Sequence, residues 1–213
     1  MMGTMQVSPP PLRQTNLRKG LVLEYFTLGW NVLEAIVGLV AGTLAGSVAL
    51  VGFALDSIVE ATSGSILIWR LRIEQSGKRS AEEAEQRAIR LVAVAFLALA
   101  AYVGGRAVYD LAAQSRPDES PVGVGLALVS LVVMPILATR KERVARSLDS
   151  RALQADSTQT TLCTYLSAFL LVGLAANALL GWWWADPLAG IAIAIFAAKE
   201  GRELWTAEDL CCR

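Results

Sequence analysis

The chain has 213 residues, 54% of them apolar, with 19 basic and 19 acidic side chains and a formal net charge of zero. Its mean hydropathy is +0.48. A soluble domain of this size is closer to 45–50% apolar, so the chain reads as an integral, multi-pass membrane protein. The balanced charge gives no case for nucleic acid. Histidine is absent, which excludes imidazole ligands, general bases and pH switches. The three cysteines (Cys163, Cys211, Cys212) match neither a disulfide framework nor a zinc knuckle. No cleavable leader is expected. The polar start with Pro9-Pro10-Pro11 leads into an apolar run too long for a signal sequence, which suits an uncleaved anchor.

About 20 helical residues cross the hydrocarbon of a bilayer. Six segments meet that length: Leu21 to Thr43, Gly46 to Trp69, Ala88 to Ala112, Pro121 to Thr139, Ala152 to Leu180 and Trp184 to Leu204. The expected fold is therefore all-α, a six-transmembrane-helix bundle. It comprises an N-terminal tail over 1–20, the helical domain over 21–204 and a C-terminal tail over 205–213. The stretch Gly77 to Arg90 is charged and helix-favouring, an extension of the third span.

Arg13, Arg18 and Lys19 precede the first span. Arg70, Arg72, Lys78, Arg79 and Arg87 follow the second, and Arg140, Lys141, Arg143, Arg146 and Arg151 follow the fourth. The opposite connections are short and poor in cations. The positive-inside rule then places both termini in the cytoplasm, and the cell (inner) membrane is the expected location. The triplet Trp182-Trp183-Trp184 suits the outer interface. Asp186 reads as an N-cap with Pro187 in the first turn of the sixth span. Gly38, Gly42 and Gly46 form a small-residue stripe for close helix packing.

Asp56 and Glu60 stand one turn apart in the second span. A charge at the bilayer centre costs roughly 2.5–3.5 kcal/mol on insertion scales, so such a pair implies a visiting cation or protons. On the fifth span, Asp156, Gln159, Thr160 and Cys163 recur at i, i+3, i+4 and i+7 on one face. The two spans run in opposite directions. Counting 1.5 Å per residue from opposite interfaces puts Asp56 level with Cys163 and Glu60 level with Gln159. Carboxylates, a thiol and an amide at one depth suit four-coordinate zinc or cadmium. Interhelical hydrogen bonding is an equal alternative for Gln159 and Thr160. Asn31 and Glu34, on one face of the first span, either line the same cavity or pair with a neighbouring helix. Arg106 and Asp110 read as an i, i+4 ion pair. Glu24 and Glu200 read as solvated at the cytoplasmic interface.

The run GTLAGSVALVGFALDSIVE, Gly42 to Glu60, resembles the second transmembrane region of the cation diffusion facilitators. LQADSTQTTLCTYLS resembles their fifth-helix pattern, and WWADP their entry to the sixth helix. Asp56 and Glu60 fall on the two metal positions of the second helix. Gln159 falls where the family has His, and Cys163 where it has Asp; Glu60 replaces the usual second Asp. The resemblance covers Leu21 to Leu204 and implies a short form lacking the C-terminal cytoplasmic domain. It implies a proton-coupled divalent metal exporter with a tetrahedral site between the second and fifth helices, working as a homodimer. The expected ligands are Asp56, Glu60 and Cys163, with Gln159 and Asp156 as further candidates. Zinc is then a transported substrate, and no organic cofactor is called for. No nucleophile–base pair or cofactor loop suggests an enzyme. Two other readings fit such spans: a membrane scaffold with structural polar contacts, and a proton-coupled exporter of an organic solute.

Overall fold

A computed structural model describes residues 11–75 and 82–211, and all the regular elements among them are helices. In chain order these are α1 (Pro11–Ala45), α2 (Val48–Gln75), α3 (Glu82–Ala112), α4 (Pro121–Leu148), α5 (Arg151–Leu180) and α6 (Ala185–Cys211). The six-helix order matches the sequence expectation. Most helices run past the expected span ends, because a helix continues into water wherever its residues favour it, while a span is measured only against hydrocarbon. α1 therefore begins at Pro11, and α4 carries its basic cluster on helix to Leu148. The start of the charged stretch before α3, Gly77 to Ala81, lies outside the described residues. So does Cys212.

Among the described residues five helices, α1 to α5, contain segments long and apolar enough to cross a bilayer. The apolar stretch of α6, residues 187–198, ends at Lys199 and Glu200, so its composition alone falls short. It is held by packing: α6 lies along α3 and also touches α2 and α5. The chain is an integral, multi-pass membrane protein.

Helix ends follow local chemistry. α1 closes with Gly46 in the left-handed region (φ +66°). There Ser47 N–H donates to Gly42 O and Gly46 N–H to Thr43 O, a glycine-terminated helix end. Ser120 and Ser150 cap α4 and α5 by accepting from Gly123 N and Leu153 N. Asp186 does not cap its own helix. Its carboxylate accepts from Val48 N (2.9 Å) and Ala49 N (3.4 Å) at the start of α2, and from Ser47 Oγ. Ser47 Oγ in turn accepts from Leu50 N. The expected cap is therefore a cap on a helix 138 residues away in sequence. The first turn of α2 is buried among neighbours, so its free N–H groups need a partner that water cannot supply.

α2 is the central element, touching α1, α3, α5 and α6. Gly38 and Gly42 of α1 let α2 approach closely. A Cβ at Gly38 would come 2.9 Å from Ala54 Cβ, and one at Gly42 would come 2.9 Å from Val51 N. Trp182 and Trp184 stack with ring centres 5.1 Å apart and remain partly exposed at the α5–α6 turn.

Candidate metal pathway

Asp56 and Glu60 project from α2 towards α5, and both are buried. Asp56, Gln159 and Cys163 line one cavity of about 20 Å³, room for a single water-sized body. Leu162, Leu166 and Phe96 supply apolar wall, and Phe196, Ala197 and Glu200 of α6 close it. The α2–α5 convergence expected from the sequence is therefore present. Glu60 sits beside this cavity. Its Oε1 accepts from Thr160 Oγ1 at 3.0 Å, and the Cys163 thiol lies against it. The register differs in one detail: Glu60 is bonded to Thr160, one position beyond the expected Gln159. One residue is about 100° of helix rotation, so Gln159 turns to the Asp56 side and Thr160 to the Glu60 side.

Two polar atoms at the site have no hydrogen-bond partner among the described residues, Glu60 Oε2 and Gln159 Nε2. Buried polar atoms are nearly always satisfied, so Glu60 Oε2 keeps capacity for a cation or a donor, and Gln159 Nε2 for an acceptor. Among the described residues no three of Cys, Asp and Glu converge closely enough to enclose an ion at once. Asp56, Gln159 and Cys163 line the walls of the space, with Glu60 beside it.

Asp156 has a different neighbour. Lys141 Nζ donates to its Oδ2 and to Glu24 Oε2 at 3.0 Å, and lies 3.4 Å from Thr160 Oγ1. The side chain of Lys141 is wholly buried, as is that of Glu24. A basic residue expected in a loop is thus an internal cation shared by α1, α4 and α5. Glu24, expected at a wet interface, is instead its buried partner. The pattern of α4 carried the signal: Ser130, Met134, Leu137, Lys141, Ala145 and Leu148 all fall on its buried face. Thr160 joins this ion cluster to Glu60, so the polar contacts run Glu24–Lys141–Asp156–Thr160–Glu60 from α1 to the cavity.

Glu34 is also fully buried. It accepts from Trp30 Nε1 at 2.7 Å, from Ser57 Oγ of α2 at 3.2 Å, and from Ser130 Oγ of α4. Of the two options for this residue, the structure supports pairing with neighbouring helices. Asn31 is buried with both amide atoms unpartnered among the described residues. Arg106 and Asp110 form the expected ion pair at 3.0 Å, with Arg106 half exposed. Glu200 was hidden in the sequence by its charged neighbours Lys199, Arg202 and Glu203; Phe196 and Ala197, on the same face of α6, turn it towards the cavity.

Residues 26–207 match the family described as the cation efflux transmembrane domain. The chain is 27% identical over 197 residues to an uncharacterized transporter of Synechocystis sp., covering 89% of this chain and 62% of that one. It is 23% identical over 198 residues to Transmembrane protein 163 of Xenopus laevis, covering 92% and 69%. A shorter match, 28% identical over 110 residues, joins it to the cation-efflux pump FieF of Shewanella oneidensis, covering 52% of this chain and 35% of the pump. The chain thus spans 62% to 69% of the length of the first two relatives. The matched region contains every cavity residue named above, along with Glu60, Lys141 and Asp156, and on that match the chain belongs to the cation efflux transmembrane domain family.

Proposed function

We propose that the chain exports a divalent metal cation, zinc above all, in exchange for protons, through a site between α2 and α5. The observation that carries this reading is the shared cavity of Asp56, Gln159 and Cys163 beside Glu60. Asp56, Glu60 and Cys163 are the proposed ligands, and Gln159 supplies an amide oxygen as the fourth. Asp156, held by Lys141, acts from behind by fixing Thr160 and, through it, Glu60. Thiolate with carboxylate favours zinc and cadmium over manganese or magnesium. Ligands bind a metal deprotonated, so loading the site releases protons and unloading takes them up. Alternating exposure of the site would then couple the two gradients. Both termini lie on the cytoplasmic side in this reading, and the working unit is a homodimer.

The deciding experiment is zinc flux in proteoliposomes with an imposed pH gradient. Wild-type protein should accumulate zinc against its gradient when protons flow the other way. Asp56→Ala should abolish flux while the protein still folds and inserts. Unchanged flux in that variant removes the site from the mechanism.

A further inference from the structure

At the end of the bundle where α1 begins and α4 finishes, these two adjacent helices frame an open groove of about 560 Å³. Four cations border it: Arg18 and Lys19 from α1, Arg140 and Arg143 from α4. All four are exposed. None of them meets a carboxylate among the described residues. Other cations differ: Arg146 is paired with Glu142, and Arg72 covers the ring of Tyr25. The positive-inside rule accounts for basic residues at this end. It does not account for four unpaired cations from two helices gathering round one groove.

Below Arg18 and Lys19 the wall is apolar, formed by Val22 and Leu23, and Val144 lies at the level of the cations. Depth fixes what the groove faces. About 20 residues of helix cross the hydrocarbon. Counted from the far ends of α1 (Ala45) and α4 (Pro121), that distance runs out near residues 25 and 141. Val22 and Leu23 lie at that boundary, and the four cations stand at headgroup level. A ligand matching this surface has an anionic head and an apolar body lying along the helices.

We infer that this groove binds an anionic phospholipid, with its phosphate held by Arg18, Lys19, Arg140 and Arg143 and an acyl chain leaving past Val22 and Leu23 into the hydrocarbon. Basic clefts between transmembrane helices take such headgroups. The lipid bridges α1 and α4, the two helices that Glu24 and Lys141 tie together just inside. The inference is independent of the metal site.

The test titrates the purified full chain with phosphatidylglycerol or with phosphatidylcholine of the same acyl chains. Lipid retention is read by native mass spectrometry, alongside thermal stability. Phosphatidylglycerol should be retained saturably and should stabilise the protein, and phosphatidylcholine should do neither. A basic residue near an anionic lipid surface is worth roughly a fivefold factor, so R18Q/K19Q/R140Q/R143Q should weaken retention at least about tenfold. The control R146Q/R202Q, on the same end but outside the groove, should leave it unchanged. Should the fourfold variant not fold, the pairs R18Q/K19Q and R140Q/R143Q should each weaken retention measurably. Equal retention of the two lipids would overturn the inference. So would pair variants that bind like wild type, a control as damaged as the groove variants, or inorganic phosphate that stabilises as well as phosphatidylglycerol.

Discussion

Lys141 Nζ donates to the carboxylate of Asp156 with both side chains buried, and Glu24 holds the same ammonium from α1 at 3.0 Å. Desolvating three ionic groups is expensive, and the cluster is tolerable only as a whole. Removing one partner of a buried pair typically costs about 3–5 kcal/mol, whereas replacing every member by apolar residues of similar volume is often close to neutral. Lys141→Met, which strands two carboxylates, should therefore lower the melting temperature in detergent sharply. The apolar triple variant E24M/K141M/D156L should recover most of that loss. A Lys141→Met protein that melts like wild type would show the pairing to be unimportant.

The same cluster bears on the site. Thr160 lies 3.4 Å from the ammonium and donates to Glu60 at 3.0 Å, so it links a structural ion pair to a proposed ligand. Thr160→Val keeps the shape of the side chain and removes both contacts. Zinc affinity should fall about tenfold to a hundredfold, from the loss of one charge-assisted hydrogen bond that orients Glu60. Stability should change by less than in Lys141→Met. Isothermal titration with zinc, beside a melting curve, checks both halves.

The polar residues most easily read from the sequence were those whose spacing fixes a face. Asp56 and Glu60 at i, i+4, and Asp156, Thr160 and Cys163 on α5, are found buried where helix geometry puts them. Lys141 escaped because charge-counting treats a basic cluster as a loop, while burial depends on which side of a continuing helix each residue takes. Arg140 and Arg143 are exposed on the same turns that bury Lys141. Glu24 followed it, since a carboxylate near a span end looks solvated until a partner on another helix is known. Asp186 was legible as a capping residue, yet the helix it caps is set by how α6 packs on α2. Such pairings between distant segments leave no local spacing to read.

Cys163 is the softest of the proposed donors, and its replacement should change selectivity more than total capacity. Cys163→Ser keeps the volume and substitutes a hard oxygen. Cadmium affinity should fall at least about tenfold and manganese affinity much less, following the preference of thiolate for softer ions. Competition between the two metals for the purified protein, with the cadmium–thiolate absorption band as a direct reporter of the sulfur, gives the answer. A band that survives Cys163→Ser would move the sulfur ligand elsewhere.

Asp186 supplies acceptors to two N–H groups and one hydroxyl at the buried start of α2. Asp186→Ala leaves those donors without a partner. Loss of a helix cap costs about 0.5–2 kcal/mol, and a buried unsatisfied donor about 1–3 kcal/mol, so a total near 2–3 kcal/mol is expected. Asp186→Asn retains one acceptor oxygen and should lose roughly half as much. Because the cap stands two turns from Asp56 along α2, zinc affinity should stay within about twofold of wild type in Asp186→Asn. A loss of zinc binding without a loss of stability in that variant would instead make Asp186 part of the ion's route.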